Sequence, residues 1–441
     1  MIQSPRASMA SQPTLVRAIG RWTLVALVIN SIIGSGIFGL PSQLAGSLGR
    51  RSPWAVLMAG VFVGIIMACF AEVASHFTAA GGPYLYARVA FGRLIGIEVG
   101  WMLWLSQLSA PAANANLFII YLGELWPGAT GVWPRFLILT SLVGILALIN
   151  YRGVRAGAEV SNLFTLAKLL PLGVIIVAGS AWIFHGHRAS AVAVTAPRSA
   201  WLQSILVMIF AYGGFESALT PMSEARDPRR DAAFSLFIAL ACCAFLYTVI
   251  QWITVTVLAN ASGSDRPLAE IGRLTLGKPG AILVTVGALI SFYGYLSAKI
   301  LGVPRITYAL AEGGDFPSAF AAIDGKFRTP YISIFVFAAL TWALALLGSF
   351  RWNLTLSAVA RLVYYAVGCA ALPVLRRKQP ASMLFRLPAG PLVAPAGVLL
   401  CALLLTQVDL SKSLILIATV IAAWLNWLSV RNRVSARPGK S

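Results

Sequence analysis

Long apolar runs follow one another along almost the whole chain, and they constrain its fold more than any other feature. A helix of about 20 apolar residues is long enough to cross the hydrocarbon core of a bilayer. The pattern predicts twelve membrane-spanning helices in one all-α domain, with no room for a soluble domain in any loop. The predicted spans are 22–46, 53–77, 94–122, 133–150, 157–183, 201–223, 232–260, 280–308, 331–349, 354–375, 391–407 and 412–430.

The composition excludes several classes of protein. Only 11% of the residues are charged, whereas soluble domains carry roughly a quarter, so the chain is not a water-soluble globular enzyme. The five cysteines lie inside apolar runs, and neither they nor the three histidines have metal-ligand spacing. Because no cluster of His, Asp or Cys occurs in the spans, we predict no metal, no cofactor and no enzymatic activity. Nothing resembles the filter or the charged ring of a channel.

The distribution of Lys and Arg predicts the orientation in the membrane. Residues 1–21 and 431–441 are polar tails. With a cytoplasmic N-terminal tail, the cytoplasmic segments carry 20 Lys and Arg and the external segments carry 10. Lys and Arg concentrate in cytoplasmic loops, so both termini are expected in the cytoplasm and the protein in the cell membrane. The same bias accounts for the net charge of +20 without a nucleic acid partner.

Two connecting segments have a predicted character of their own. Turn residues at 81–83, followed by tyrosines and an arginine at 84–88, predict a short interfacial helix between spans 2 and 3. Segment 262–278 is polar and external, and its length suits either a lid or a plain loop.

Two spans are predicted to be broken in mid-membrane. Gly34-Ser-Gly36 lies within span 1 and Gly213-Gly214 within span 6, and a proline follows seven residues after Gly34 and after Gly214. A broken helix is tolerated in a bilayer only where its freed backbone groups face protein, water or a ligand. Interrupted spans at matching positions of two halves are typical of secondary transporters. Because spans 1 and 6 are an odd number of spans apart, the two halves must be inverted.

The breaks offer the chemistry that a zwitterion needs. A half-helix that begins after Ser35-Gly36 presents unpaired N–H groups and a positive dipole end, which suit a carboxylate. The preceding half-helix ends with free carbonyls near Ile32 and Ile33, which suit an ammonium. The break at 211–213 repeats this arrangement. Together the breaks predict an α-amino acid as the ligand.

The residues at the breaks resemble the amino acid–polyamine–organocation superfamily of transporters. Gly34-Ser-Gly-Ile-Phe38 resembles its signature in span 1, and Phe210-Ala-Tyr-Gly-Gly-Phe-Glu216 its signature in span 6. Further similarities occur at 71–72, 81–86, 91–92, 100–101 and 305–317, so that the resemblance runs from about 22 to 318. It implies a leucine-transporter-type fold with inverted repeats at 22–183 and 201–375, and with spans 11 and 12, at 391–430, outside them. Members of the superfamily import or exchange amino acids by alternating access.

The resemblance also implies where the substrate binds. The carboxylate falls on Ser35 and Gly36, and the amino group on carbonyls near Ile33, Phe210 and Gly213. Phe210 and Tyr212 become candidate pocket or gate aromatics. The expected substrate-binding residues are Ile32, Ile33, Gly34, Ser35, Gly36, Phe210, Ala211, Tyr212 and Gly213.

Lys168 is the candidate coupling residue. It lies ~17 Å along span 5, near the midplane, where charged groups are costly and usually functional. The resemblance implies that its ammonium replaces a sodium ion and bonds a carbonyl near Gly34. Proton transfer and a fixed tether both remain open for this ammonium.

Other polar groups within spans are candidates for the pocket or a gate. Lys299 reaches either the cytoplasmic face or an acidic substrate, and Arg361 is assigned to an external gate. Glu216 is expected to be a structural acceptor, and Glu72 to hold a cytoplasmic loop. The full set of pocket or gate candidates is Gln107, Glu216, Ser291, Ser297, Lys299 and Arg361, with Asn114 and Asn116 as further pocket candidates.

These features predict a secondary transporter of amino acids that is proton-linked or exchanging. Neutral substrates are favoured over cationic ones because no acidic pair lines spans 1, 3 and 6. The alternatives are sodium coupling, for which Ser291 and Ser297 supply hydroxyls, and antiport of polyamines or of cationic or acidic amino acids. Residues 122–134 contain no cysteine, so no disulfide-linked glycoprotein partner is expected.

Overall fold

The computed structural model describes residues 20–77, 81–153, 158–189, 196–218, 228–378 and 385–431. Its regular elements in these ranges are α-helices and short 3-10 helices, joined by turns and loops. In chain order, they are α1 Arg21–Ile32, α2 Gly36–Leu48, α3 Ser52–Ser75, α4 Gly82–Phe91, α5 Arg93–Leu125, α6 Val132–Tyr151, α7 Ala158–Phe184, α8 Arg198–Tyr212, α9 Phe215–Ala218, α10 Pro228–Val257, α11 Pro267–Glu312, α12 Tyr331–Leu347, α13 Phe350–Lys378, α14 Gly390–Leu405 and α15 Leu410–Arg431.

Six helical segments of the described chain are long and apolar enough to cross a membrane. They are Gly36–Ser75, Val132–Tyr151, Ala233–Val257, Pro267–Glu312, Phe350–Lys378 and Leu410–Arg431. Shorter apolar helices occupy Arg21–Ile32, Lys168–Phe184, Tyr331–Leu347 and Gly390–Leu405. Large apolar side chains such as Val132, Leu347 and Leu392 are exposed on the outside of the bundle. In water this surface would be costly, but in a bilayer it meets lipid.

The helices pack against one another around one main hydrophobic core. α5 packs along α13, and α7 packs along α11. α1 lies against α10, while α3 contacts both α8 and α10. α14 covers α13 and α3 from the outside, and α15 lies against α5. The two interrupted helices are thus surrounded by others, which leaves their breaks in the interior.

The connecting segments differ in part from the sequence prediction. α4 is the short helix that was predicted between spans 2 and 3. Segment 262–278, predicted as a lid or a plain loop, is largely helical, because α11 begins at Pro267 and continues to a kink at Gly277. Gly277 has a φ of 71°, which turns the chain from this outer helix into the span. The free cysteines are buried except Cys242.

Two buried carboxylates tie helices together at the face where α1 begins, here called the near face. Asp315 is 1% exposed and pairs with Arg88 (2.5 Å) and Arg93 (2.7 Å). The Tyr84 hydroxyl also donates to Asp315. Burial, together with this hydrogen bond, raises the pKa of Tyr84, so the hydroxyl keeps its proton and remains a donor.

The second carboxylate, Glu72 on α3, accepts two hydrogen bonds from Arg376 on α13, at 2.6 and 2.7 Å. The backbone N–H of Leu387 donates a third, at 2.7 Å. Glu72 therefore holds the chain that enters α14, as its predicted structural role requires. The ion pairs of Asp315 and of Glu72 thus hold the helix ends together at the near face.

Candidate functional site

Both predicted breaks are present. α1 ends at Ile32 and α2 begins at Gly36. α8 ends at Tyr212 and α9 begins at Phe215. At these points the backbone leaves helical geometry, and N–H groups at the start of α2 have no partner within the helix.

The two breaks touch each other, and glycine makes this possible. Gly214 has a φ of 110°, and a Cβ added there would lie 2.4 Å from the carbonyl oxygen of Ser31. A Cβ on Gly36 would lie 2.9 Å from the Cα of Ala211. Such distances leave no room for a side chain, so the two interrupted helices cross backbone to backbone.

A small cavity of about 10 Å³ lies where the breaks cross. It is lined by Ser31, Ile32, Gly34, Ser35, Gly36, Asn114, Phe210, Ala211, Gly213, Tyr295 and Arg361. This volume is about that of one water molecule, so the site is closed in this state. The Ser35 hydroxyl and the Asn114 amide oxygen are buried here and have no hydrogen-bond partner in the part of the chain that the structure describes. Buried polar atoms normally find one, and a bound ligand could provide it.

The ammonium of Lys168 lies on the break in α1. Its Nζ donates to the carbonyl oxygens of Asn30 at 2.8 Å and of Ile33 at 3.1 Å. The side chain is buried. This is the contact that the resemblance implies. It satisfies two carbonyls that the end of the helix leaves free, and its role in coupling stays a prediction.

Tyr247 on α10 joins the two breaks, and sequence reasoning did not identify it. Its hydroxyl lies 3.1 Å from the carbonyl oxygens of both Ile32 and Ala211. A hydroxyl carries one proton, so it donates to one carbonyl at a time and can exchange between them. Nothing near Tyr247 in the sequence indicates this position, because it depends on how α10 packs against α1.

Glu216 lies in a network of donors beside the break in α8. Its carboxylate accepts from the N–H of Gly214 at 2.9 Å and from the hydroxyls of Tyr364 at 2.8 Å and Tyr365 at 3.0 Å. The guanidinium of Arg361 lies 3.9 Å from it. Glu216 is therefore a structural acceptor, as expected, and its carboxylate is already satisfied.

Arg361 lies in the cavity wall rather than at an external gate. It is 2% exposed, and it lies three helical turns into α13. Its Nε donates to the Ser106 hydroxyl at 3.1 Å, and its Nη1 to the Phe210 carbonyl at 3.4 Å. Arg361 was a candidate for the pocket or a gate, and this position agrees with the pocket; a part in an external gate stays a prediction. α13 begins at Phe350, four residues before the predicted span, which carries Arg361 to the depth of the break.

Lys299 and Gln107, two other candidates, bond each other. The Lys299 ammonium donates to the Gln107 amide oxygen at 2.8 Å. It also lies 5.3 Å from the ring centroid of Tyr295, which lines the cavity. Lys299 thus adds a second positive charge near Arg361 and the cavity. It does not simply extend to the near face.

Several candidates lie away from the cavity. The Tyr212 hydroxyl donates to the Val56 carbonyl at 3.0 Å, so its ring points into the packing between α8 and α3. Asn116 accepts from Arg135, which also caps the end of α12. Ser291 and Ser297 do not line the cavity.

A larger cavity opens at the opposite face of the bundle, here called the far face. It measures about 390 Å³ and is lined by residues of α2, α8, α13 and the turn before α15, among them Leu44, Leu206 and Arg351. Leu44 also lines a second small cavity that includes Gly36 and Ala211. Gly36 and Ala211 line the central cavity as well, so shared residues link each cavity to the next between the far face and the breaks. These three cavities are here called the row of cavities.

Comparison with known proteins identifies the family of the chain. A family model described as amino acid permease matches residues 19–429. The chain belongs to the amino acid permease family. It is a multi-pass membrane protein, and its relatives are transporters.

Three of these relatives align over most of their length. An uncharacterized transporter of Mycobacterium bovis is 30% identical, and the alignment covers 82% of this chain and 81% of the transporter. The serine/threonine exchanger SteT of Bacillus subtilis is 27% identical, over 87% of this chain and 90% of SteT. The branched-chain amino acid permease BcaP of the same organism is 24% identical, over 92% of this chain and 90% of BcaP.

Proposed function

We propose that the chain is a secondary active transporter that moves α-amino acids by alternating access. One observation carries this proposal: two interrupted helices cross at a buried cavity, and polar atoms in its wall have no hydrogen-bond partner among the described residues. The start of α2 offers N–H groups to a carboxylate, and Ser35 adds a hydroxyl. The carbonyl groups at the ends of α1 and α8 accept hydrogen bonds from the ammonium of the substrate. The cavity is closed in this state and has to widen to admit a substrate.

The helix packing supports an inverted repeat with units at 22–183 and 201–375. α5 and α7 are the third and fifth predicted spans of the first unit, and α11 and α13 are the third and fifth of the second. α5 packs on α13 and α7 packs on α11, so exchanging the units converts one pair into the other. Spans 11 and 12 lie outside the repeat. With both termini in the cytoplasm, the near face is cytoplasmic, and the row of cavities begins at the external face.

The position of Lys168 favours transport without sodium. Its ammonium donates to two carbonyl oxygens at the break in α1, and unwound backbone carbonyls at such breaks are the ligands of sodium in sodium-coupled transporters. A positive charge at this place also repels a second cation. Proton-linked uptake and exchange both agree with this contact, and the name of the relative SteT supports exchange.

The substrate is expected to lack a cationic side chain. Glu216 is the carboxylate beside the cavity among the described side chains, and its oxygens already accept three hydrogen bonds. These donors and the nearby Arg361 guanidinium already balance its charge, so Glu216 is a poor partner for the ammonium of a cationic side chain. Two relatives are named for serine and threonine and for branched-chain amino acids, which are neutral. Neutral and acidic amino acids remain as substrates.

Uptake into proteoliposomes tests this function. Radiolabelled L-alanine and L-glutamate would be offered under an inward proton gradient, with and without sodium, and to vesicles preloaded with the same amino acid. We expect uptake of at least one of them without sodium, and its loss in Lys168→Ala. Lys326→Ala, which removes an exposed lysine from a loop, is the matched control. Sodium dependence would overturn the coupling, and no uptake of any amino acid would overturn the function.

A further inference from the structure

The side-chain end of the substrate site has its own chemistry, which rests on the function proposed above. If the two breaks hold the amino and carboxyl groups of an α-amino acid, its side chain points away from α2 and α8. The cavity wall outside the two interrupted helices consists of Asn114 on α5, Tyr295 on α11 and Arg361 on α13. The guanidinium of Arg361 also lies against the break in α8, at Phe210 and Gly213. These residues decide which side chains fit.

Arg361 has hydrogen-bond donors to spare. A guanidinium carries five N–H groups. Nε donates to Ser106, and Nη1 donates to the Phe210 carbonyl at the long distance of 3.4 Å. Nη2 donates to none of the residues that the structure describes. Arg361 is 2% exposed and lines the cavity, so a ligand in the cavity can reach the donors that remain.

Positive charge exceeds negative charge at this wall. Arg361 and Lys299 are cationic, and Glu216 is the one carboxylate among the described side chains around them. Glu216 lies 3.9 Å from Arg361, and two tyrosines and a backbone N–H already use its oxygens. Glu216 balances one of the two positive charges, and an excess charge in the interior is costly. A ligand that brings a negative charge to this wall would remove that cost.

We propose that Arg361 binds the side-chain carboxylate of an acidic amino acid. The positive charge of Lys299, which lies against the Tyr295 ring, adds to the attraction for this carboxylate. Arginine matches a carboxylate with two parallel N–H groups. The unpartnered Asn114 oxygen and the Tyr295 ring line the remaining space. Acidic amino acids are therefore preferred over their neutral isosteres, which narrows the substrates left open above.

Competition between glutamate and glutamine tests this preference, because the two differ only in the side-chain carboxylate. Uptake of radiolabelled L-glutamate into proteoliposomes would be competed with L-glutamate, L-aspartate, L-glutamine, L-alanine and L-lysine. We expect half-inhibition by glutamate at a concentration at least about tenfold below that of glutamine, as one charge-assisted hydrogen bond provides. Lysine should not compete.

Two variants assign the preference to the cationic wall. Lys299→Met keeps the aliphatic stem and removes the charge, and Arg361→Gln removes the guanidinium. In each, the ratio between glutamate and glutamine should fall toward one, through weaker binding of glutamate. Lys326→Met is the matched control and should leave the ratio unchanged. If Arg361→Gln does not fold, Lys299→Met and the wild-type ratio carry the test.

The outcomes separate this inference from the proposed function. Uptake of radiolabelled alanine that glutamate does not inhibit would overturn the inference and leave amino acid transport in place. An unchanged ratio in Lys299→Met would overturn the part given to Lys299, and an unchanged ratio in a folded Arg361→Gln would overturn the inference. No uptake of any amino acid by the wild type would overturn both.

Discussion

The crossing of the two interrupted helices predicts a large effect of one added methyl group. In Gly214→Ala the new side chain meets two obstacles. The φ of 110° belongs to a region that L-residues rarely adopt, at a cost of ~1–2 kcal/mol. The new Cβ would also lie 2.4 Å from the Ser31 carbonyl oxygen. This oxygen belongs to the backbone and cannot rotate away, so the helices must separate, at a further ~1–3 kcal/mol.

The expected total is about 2–5 kcal/mol, which thermal stability and transport can both detect. Purified protein in detergent would be heated in steps, and the monodisperse fraction measured by size-exclusion chromatography. Gly214→Ala should lose stability and amino acid uptake. Gly302→Ala is the matched control, because a Cβ there meets nothing within 4 Å and alanine favours a helix. If Gly214→Ala were as stable and active as Gly302→Ala, the backbone crossing would be refuted.

Three further substitutions test single contacts. Tyr247→Phe keeps the ring but leaves a buried carbonyl without its donor, so stability should fall by about 1–3 kcal/mol, measured by the same thermal assay, and uptake should fall with it. Glu216→Gln removes the carboxylate beside a buried guanidinium and should cost ~3–5 kcal/mol; retained stability would contradict the network. Asp315→Asn leaves two arginines at the near face without their anion and should cost ~1–3 kcal/mol in the same assay, discounted because Arg88 is partly exposed.

Local sequence predicts the breaks well because a glycine weakens the helix at its own position. The pair Gly34 and Gly36, and the pair Gly213 and Gly214, mark the interruptions to within a residue or two. The contact of Lys168 with the break in α1 followed from a family resemblance. Its distances, 2.8 and 3.1 Å, come from the packing of α7 on the rest of the bundle.

Residues far apart in the chain were harder to assign. Arg361 donates to Ser106 across 255 positions of sequence, and no pattern in span 10 indicates whether its side chain points toward the outer face or the cavity. Tyr212 was predicted as a pocket aromatic from the signature in span 6, but its ring faces α3. In a span that is apolar on every side, periodicity does not identify the face that meets a ligand.

Composition and residues close together in the chain were enough to predict a bundle of apolar helices and the places where two of them break, because glycine and proline act locally. The amino acid ligand stays a prediction from the same residues. The contact between the breaks, the position of Tyr247 between them and the place of Arg361 in the cavity wall became visible with the packing of the helices. Those contacts depend on the depth and rotation of packed helices, and neighbouring helices set both.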